Sequence, residues 1–530
     1  MDSKWWTLIA IALGVFMLLI DVTIVNVALP DIGSDLGSSF SDLEWVVNAY
    51  SLTLAASLLV AGSLADLIGR RRVFVGGLAV FTLASLGCGL ANDPLLLNLL
   101  RGVQGIGGGM MFATSLALIA QAFHGKDRGV AFGVMGAVTG AAVAVGPLVG
   151  GVLTDAFGWE WIFFVNLPIG LVAATLTLTR VAESRDPHPA GIDWLGAILF
   201  SAALFLLIFG LVRGNAEGWG SATIVASLGG SVLLLALFAV SQLRRDNPLF
   251  DLRLLRKPTF LGASMVAFCM SASLFAIFLY LTLYLQGGVL GFSPLEAGLR
   301  FLPITGLMLL VGPVAGRLSA IVPVRVLLGG GLFFVGVGLL LMHGVEPGDT
   351  WTVLIAGFIV AGLGSGLVNP PLASTAIGVV EPRRSGMASG INSTFRQVGI
   401  ASGIAALGAV FQHRVHELIA QGTAGMPAAA HADQLAAAVT AGQTERALAA
   451  IPAGADPAQV ERLREVAHGA FTSGLNTLFV ITAIVALVGA VGAALLVRRQ
   501  DFVVSQAPLA GGAGEGPPVV ATAGPEAEPR

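Results

Sequence analysis

Charge is scarce in this sequence: 11% of its 530 residues are Asp, Glu, Lys or Arg, against about 25% in an ordinary soluble domain. A chain that is 55% hydrophobic cannot wet its surface with so few charges and still bury the rest. Lipid must solvate most of it. Lysine is nearly missing, with Lys4, Lys126 and Lys257 the only three against 25 arginines, an imbalance that points to a GC-rich bacterial genome. None of the three stands in the pattern G-x-x-x-x-G-K-[ST], which excludes the phosphate-cradling loop of an ATP-driven pump. The two cysteines, Cys88 and Cys269, fall in apolar runs, which excludes a disulfide framework or a metal ribbon. None of the seven histidines lies deep in an apolar run, so a histidine proton relay is absent. His413-x-x-His416-Glu417 has helical spacing but lacks a third ligand, and no metal or other cofactor is expected. The net charge of -3 gives no sign of nucleic-acid binding. Embedded polar residues are too sparse for the convergent nucleophile or metal cluster of an enzyme.

What is present is a series of long apolar stretches. A transmembrane helix needs about 20 mostly apolar residues, and fourteen such spans can be placed. They are Trp5–Leu29, Trp45–Ala65, Val73–Ala91, Leu95–Ala120, Val130–Leu153, Trp161–Val181, Trp194–Val212, Ala222–Leu243, Phe260–Gln286, Leu295–Leu318, Val324–Met342, Thr352–Leu372, Gly386–Phe411 and Gly474–Val497. An even count puts both termini on one side. With that side cytoplasmic, 20 of the 28 Lys and Arg residues fall in inner segments and six in outer ones, as the positive-inside rule requires. Arg101 and Arg396 remain inside spans. The first span lacks a small-residue cleavage site and reads as an uncleaved anchor. Residues 412–473 read as a long Ala-rich outer loop with helix-like pieces, and 501–530, rich in Pro, Gly and Ala, as a disordered cytoplasmic tail. Trp5, Trp6, Trp45, Trp159, Trp161 and Trp194 fall near span ends, where an aromatic belt is expected.

The chain is weakly self-similar at an offset of about 250–257 residues. Gly62-Ser63-Leu64-Ala65 aligns with Gly312-Pro313-Val314-Ala315, and Gln104-Gly105-Ile106-Gly107-Gly108-Gly109 with Ala361-Gly362-Leu363-Gly364-Ser365-Gly366. Gly129-Val130-Ala131-Phe132-Gly133 aligns with Gly386-Met387-Ala388-Ser389-Gly390. Chance likeness between Gly-rich helices is the competing reading, and the shared order counts against it. Spans 1–6 (residues 1–181) thus repeat in spans 9–14 (258–500), with an inserted pair over 182–257. Two similar halves place a binding site near the midplane between them and make transport a rocking of one half on the other.

Five motifs then carry a resemblance. Asp21-Val22-Thr23-Ile24-Val25-Asn26-Val27-Ala28-Leu29-Pro30 resembles the first-helix motif of the fourteen-span drug:proton antiporters of the major facilitator superfamily. Gly62-x-Leu64-Ala65-Asp66-x-x-Gly69-Arg70-Arg71-Arg72 is similar to the loop 2–3 signature, and Arg101-x-x-Gln104-Gly105 to the fourth-helix motif. Gly146-Pro147-x-x-Gly150-Gly151 resembles the motif associated with antiport, and Trp159-x-Trp161-x-Phe163-x-x-Asn166-x-Pro168-x-Gly170 the start of span 6. The C-terminal copy of the loop signature has Gly316 where the acid would be. The resemblance implies an all-α membrane protein of the major facilitator fold, with two six-helix bundles and two inserted helices.

Ionisable residues inside a bilayer are functional candidates by default. Asp21 is the one acid placed well inside a span, about 24 Å along the first helix at 1.5 Å per residue. Arg101 lies about 9 Å below the outer boundary by the same rise, at a similar depth, so the two can pair if their helices are neighbours, as the family fold implies. Asp21 either exchanges a proton for substrate or forms a permanent pair with Arg101 that locks two helices. Arg396 is either a counter-charge for substrate or a donor to carbonyls freed near Gly390 and Gly399. Asp66 and Arg70, with Gly62 and Gly69, form either the family's cytoplasmic latch or a solvated loop. Gly146, Pro147, Gly150 and Gly151 permit a bend and close packing, or packing alone. Ser41-x-x-Glu44 and Ser293-Pro294-x-Glu296 read as helix N-caps. Asn26, Asn48, Gln104, Tyr280, Tyr284, Gln286 and Asn369 are cavity candidates by polarity.

The expected function is proton-driven export of amphipathic drugs or antibiotics by a monomer in the bacterial inner membrane, with the proton gradient and the bilayer as its other partners. One coupling acid limits the substrate to monovalent, neutral or zwitterionic compounds. The alternatives are a proton-coupled transporter of a specific metabolite, lipid or siderophore, an uptake symporter among them, or a non-transporting membrane sensor.

Overall fold

The computed structural model describes residues 3–123, 125–185, 191–245, 248–319, 321–380, 385–424, 426–449 and 457–502. The described residues form helices and connections, with no strand among them. The first bundle contains α1 (Ser3–Asp35), α2 (Phe40–Ile68), α3 (Arg70–Gly89), α4 (Pro94–Ala122), α5 (Gly125–Phe157), and the short α6 (Trp161–Phe164) leading into α7 (Asn166–Arg180). α8 (Trp194–Glu217) and α9 (Ala222–Arg244) follow as a packed pair. The second bundle opens with α10 (Pro258–Met270) and α11 (Ala276–Leu283), joined by a π turn at Ser271–Phe275 and followed by another at Tyr284–Gly288. It continues with α12 (Pro294–Arg300), α13 (Leu302–Leu318), α14 (Val324–Leu341), α15 (Ile355–Gly378) and α16 (Ser385–Thr423). The short α17 (Ala432–Thr440) and α18 (Thr444–Ala449) precede α19 (Pro457–Leu496).

Among the described residues, eleven helices are long and apolar enough to cross a bilayer, and thirteen if each of two bent pairs counts once. The pairs bend by 47° within α2 and by 46° between α12 and α13. The sequence gives fourteen spans; the remaining candidate is α5, 33 residues long, whose described residues qualify only over the shorter apolar stretch Val145–Phe157. The outer loop expected over 412–473 is largely helix. α16 runs twelve residues past Phe411, and α19 begins well before Gly474. Arg464 of α19 grips the Glu445 carboxylate of α18 at 2.9 Å through both Nε and Nη2 and holds it below its ordinary titration range. Most of the predicted tail, 503–530, lies outside the described residues. Its first residues are tied down, since Asp501 accepts from the Thr259 backbone N–H (3.1 Å) and hydroxyl (2.7 Å).

Glycine sets how closely these helices approach. A Cβ on Gly107 of α4 would stand 2.5 Å from the Phe81 nitrogen and 2.8 Å from the Gly77 carbonyl of α3. Gly105 and Gly109, on the other side of α4, press on Tyr50 and Leu54 of α2. In the second bundle Gly364 of α15 meets Gly331 of α14, while Gly362 and Gly366 meet Ile304 and Val311 of α13. The two triplets face the same succession of neighbours, which is what small-residue packing of two like helix sets produces.

The contacts that join the bundles gather on the side away from the N-terminus, hereafter the distal side. There a Cβ on Gly151 of α5 would lie 2.5 Å from the Pro294 carbonyl, and one on Gly298 of α12 would lie 2.5 Å from the Pro147 carbonyl. Gln286 donates to the Val27 carbonyl at 2.7 Å and Gln443 to the Gly33 carbonyl at 2.9 Å. Phe40 packs on Tyr280 and Phe411. Towards the N-terminal side, a Cβ on Gly62 of α2 or on Gly390 of α16 would meet nothing within 4 Å. The interface is closed distally and open at these two glycines on the N-terminal side.

Candidate functional site

Asp21 and Arg101 meet in the core of the first bundle, 0% and 1% exposed. Arg101 Nη1 donates to Asp21 Oδ2 at 2.6 Å and to Gln104 Oε1 at 2.7 Å, and its Nε donates to the Val46 carbonyl at 3.1 Å. The other carboxylate oxygen, Asp21 Oδ1, accepts from Gln104 Nε2 at 2.9 Å and from Asn166 Nδ2 at 3.0 Å. The Tyr50 ring lies 4.3 Å under the guanidinium. Four helices, α1, α2, α4 and α7, therefore converge on one carboxylate. A buried charge is tolerable only when paired and hydrogen-bonded, and three donors on Asp21 meet that condition for its ionised form.

This arrangement corrects the expected place of Gln104. It belongs to the Asp21 cluster, three residues from Arg101 on the same face of α4, and does not line a cavity. Asn166 enters unanticipated as a site residue. The signal was its place in the span 6 motif, which gives a polar amide no apolar reason to be buried. Ser85 supports it at 3.0 Å and in turn donates to the Phe163 carbonyl at 2.9 Å. Asn166→Leu is expected to cost about 1.5–3 kcal/mol, the value of a hydrogen bond to a charged group, read as a lower melting temperature of the detergent-solubilised protein.

Between the bundles lies a small apolar pocket, about 20 Å³ in this conformation, lined by Val22, Thr23, Asn26 and Val27 of α1, Val47 of α2, Pro147 of α5, and Phe275, Phe278, Thr282, Phe301, Thr305, Ile400 and Ile404 of the second bundle. Asn26 is the one predicted cavity residue in this lining. Its amide donates to Val22 one turn back at 3.5 Å. Tyr280 and Tyr284 are fully buried instead. Tyr280 sits in the distal seam and donates to the Ile404 carbonyl at 2.7 Å, while Tyr284 packs on Phe471 inside the second bundle. Gln286 is spent on the Val27 carbonyl, and Asn48 is fully buried in α2. The phenylalanines and threonines that do line the cleft carry no distinguishing sequence pattern among 29 Phe residues.

Arg396 of α16 donates through Nη2 to Asn369 Oδ1 of α15 at 2.8 Å, and Asn369 donates to the Ser365 carbonyl at 3.0 Å. The structure thus brings Arg396 and Asn369 together. It shows no bond from Arg396 to carbonyls near Gly390 or Gly399; Gly399 packs against Phe268. Arg396 has no acidic partner among the described residues.

Where α2 and α7 end and α3 begins, Arg70 holds Asp66 through Nε (3.2 Å) and Nη2 (3.0 Å), both groups partly exposed. Glu183 completes this corner. It accepts from the Arg71 N–H at 3.0 Å, and a Cβ on Gly69, whose φ is +115°, would stand 2.7 Å from the carboxylate. No sequence signature marked Glu183, which lies beyond the end of the motif. A Cβ on Gly62, one turn before Asp66, would meet nothing within 4 Å in this conformation.

The four residues of the Gly146-Pro147-x-x-Gly150-Gly151 run divide their work. Gly146 meets Thr23 of α1 and Gly150 lies 2.9 Å (from a Cβ) off the Ile24 carbonyl, both inside the first bundle. Pro147 and Gly151 meet Gly298 and Pro294 across the seam.

The Ser293–Glu296 cap is present as a reciprocal capping box on α12. The Ser41–Glu44 cap is not. α2 starts two residues earlier with Ser39 as N-cap and Asp42 completing the box, because the earlier start buries Phe40 on Tyr280 and Phe411. Glu44 is left inside the protein, 0% exposed, with neither carboxylate oxygen bonded. Asp21 is therefore not the sole buried acid, and the substrate-charge limit cannot rest on that count. Among the described residues no group of three metal-ligating side chains converges.

Residues 11–404 match the Major Facilitator Superfamily model. The chain is 37% identical over 405 residues to the multidrug resistance protein Stp of Mycobacterium tuberculosis, covering 76% of this chain and 75% of that one. It is 33% identical over 503 residues to the tetracenomycin C resistance and export protein of Streptomyces glaucescens, covering 94% and 92%. A puromycin resistance protein of Streptomyces alboniger is 36% identical over 77% of this chain and 82% of its own. Among solved structures, a bacterial homologue of the human lysosomal transporter Spinster, inward-facing and occupied, superposes with a TM-score of 0.60 at 16% identity, covering 95% of this chain and 99% of that one. A bacterial homologue of the human drug peptide transporters PepT1 and PepT2 gives 0.57 at 15%, covering 92% and 97%. The fold, the matched length and these relatives agree: the chain belongs to the major facilitator superfamily.

Proposed function

We propose that this protein is a proton-driven exporter of amphipathic drugs or antibiotics, working by alternating access, with both termini cytoplasmic in the bacterial inner membrane. The observation that carries the coupling is the Asp21 cluster. Three donors meet its carboxylate, and the means to accept a proton lie beside it. Asn166 Oδ1 has no partner, so half a turn of that amide replaces a donor by an acceptor for the O–H of protonated Asp21. Gain of one proton would then reverse the donor and acceptor of the α1–α7 hydrogen bond and remove the charge that Arg101 of α4 holds.

The cargo reading rests on the relatives named for multidrug, tetracenomycin C and puromycin resistance and on the cleft between the bundles. Phe275, Phe278 and Phe301 offer apolar and aromatic surface, with Thr23, Asn26, Thr282 and Thr305 as polar anchors, the mix that small-molecule sites use. No bare carboxylate lines the cleft, which favours neutral, zwitterionic or monovalent cargo. Arg396, neutralised by no acid and half-buried beside Asn369, supplies a positive pole for cargo carrying a carboxylate or phenolate. Fourteen crossings follow if α5, 33 residues long, spans the bilayer through its apolar run over residues 130–153. The bundles would then be residues 1–181 and 258–500, with 182–257 as the inserted pair.

Inverted membrane vesicles acidified inside should accumulate a fluorescent cationic dye or a resistance substrate, and collapse of the gradient should release it. Accumulation driven by an alkaline interior would reverse the direction and make the protein an uptake symporter. A host lacking its own exporters should gain drug tolerance on expression of the chain.

A further inference from the structure

Glu44 lies one turn into α2 on the face that meets the second bundle. A Cβ on Gly408 of α16 would collide with Glu44 Oε1 and stand 2.8 Å from its carboxyl carbon and 3.1 Å from the Tyr280 hydroxyl. That glycine is the seat of the carboxyl in the closed distal seam. Asn48 and Ser51 follow at helical spacing on the same face. Both Asn48 amide atoms and the Ser51 hydroxyl are, like the Glu44 oxygens, buried without a hydrogen-bond partner. Three consecutive polar side chains unpaired on one face do not suit permanent burial, because buried polar groups are ordinarily bonded. This face suits one that water reaches in another conformation. In the closed seam, with no donor for either oxygen, the neutral acid is the form Glu44 can hold.

The surrounding charges leave Glu44 alone. Tyr280 of α11 donates to Ile404, and its oxygen is the titratable group beside the carboxyl. On α4, Arg101 is committed to Asp21, Gln104 and Val46. On α16, Arg414 pairs with Glu417, His413 and His416 lie towards the distal end, and Arg396 sits about 18 Å along the helix from Gly408. On α8, Arg213 pairs with Glu217. α1 carries Asp21, Asp31 and Asp35, and α3 carries Arg70, Arg71, Arg72 and Cys88. None of these is bonded to Glu44.

We propose that Glu44 is a second proton-binding site, belonging to the distal gate: it takes one proton from the distal aqueous side as α2 and α16 close, and returns it there as they part. The carboxylate gains a proton to become the seated acid, and the same proton leaves on reopening, so the step balances without any other reactant. The closed seam holds one proton more than the open one. Acid therefore favours closure, and a rise in pH opens the gate by up to about tenfold in population per pH unit for a single linked proton. The proposal rests on alternating access but not on the nature of the cargo.

The test measures the distance between spin labels at positions 41 and 413, on the distal ends of α2 and α16, in full-length protein in nanodiscs without substrate or gradient. The wild type should shift towards the open distance as pH rises. Glu44→Gln should favour the closed distance and lose the part of the slope that Glu44 supplies, Glu44→Asp should keep a slope, and Asp21→Asn should keep the part that Glu44 supplies. Infrared difference spectra of the wild type, acid minus alkaline, should show a carboxylic-acid carbonyl band that Glu44→Gln loses. A wild type with no pH slope, or a Glu44→Gln variant with the wild-type slope, overturns the proposal. So does a slope that follows sodium concentration in place of pH. Failure of dye uptake in vesicles alongside an intact Glu44 slope would overturn the export reading and leave the gate proton standing.

Discussion

Asp21→Asn is expected to abolish proton-driven export while the protein remains folded in the membrane. The substitution keeps the size of the side chain and one acceptor oxygen, so Gln104 or Arg101 retains a partner. It removes the charge. Breaking a buried pair by deleting one partner costs about 3–5 kcal/mol, because the other charge is left uncompensated. Arg101 is partly protected, since the Val46 carbonyl, Gln104 Oε1 and the Tyr50 ring at 4.3 Å remain in place. A lost activity alone does not separate a proton carrier from a helix lock. The double variant Asp21→Asn with Arg101→Met does, because it removes both charges together. If the pair only locks α1 to α4, the double variant should regain both thermal stability and transport. If Asp21 carries the proton, stability should recover and vesicle uptake should stay at background. Recovery of uptake to wild-type rate in the double variant would end the coupling assignment.

The pairing behind that experiment was legible because depth along a helix is simple arithmetic. A rise of 1.5 Å per residue placed Asp21 and Arg101 at matching heights before any coordinates. The helix order and the glycine triplets were legible for the same reason, since a span must be long and apolar and a close approach must be small. What was not legible is which way a polar residue on a helix points once two bundles pack. Gln104, Tyr280 and Tyr284 have the polarity of cavity residues, but Gln104 turns to Asp21 and the tyrosines turn into seams. Glu44 was hidden by a competing local pattern. Ser39-x-x-Asp42 and Ser41-x-x-Glu44 satisfy the same capping rule, and burial of Phe40, a tertiary contact, decides between them.

The seam at Gly151 carries the second large effect. Gly151→Val is expected to shift the protein away from the distally closed conformation and to slow export in proportion. In the closed seam a Cβ at 151 would stand 2.5 Å from the Pro294 carbonyl and 2.8 Å from the Leu295 Cα, and these are backbone atoms that cannot swing aside. Overpacking of this kind costs about 1–3 kcal/mol, which corresponds to a population change of about 5- to 150-fold. The contact exists only when the seam is closed, so the cost falls on one conformation and not on folding. The melting temperature should change little, while the label distance across positions 41 and 413 should lengthen at every pH. Gly298→Val attacks the same seam from the opposite side, 2.5 Å from the Pro147 carbonyl, and should reproduce the shift. Gly62→Ala is the contrast. Nothing stands within 4 Å of its Cβ in this conformation, so it should leave distal closure untouched, and any effect on export must arise when the N-terminal side closes. Gly151→Val with unchanged transport and an unchanged label distance would mean that this seam parts from α12 without limiting the cycle, and that the antiporter motif acts only through Gly146 and Gly150 against α1.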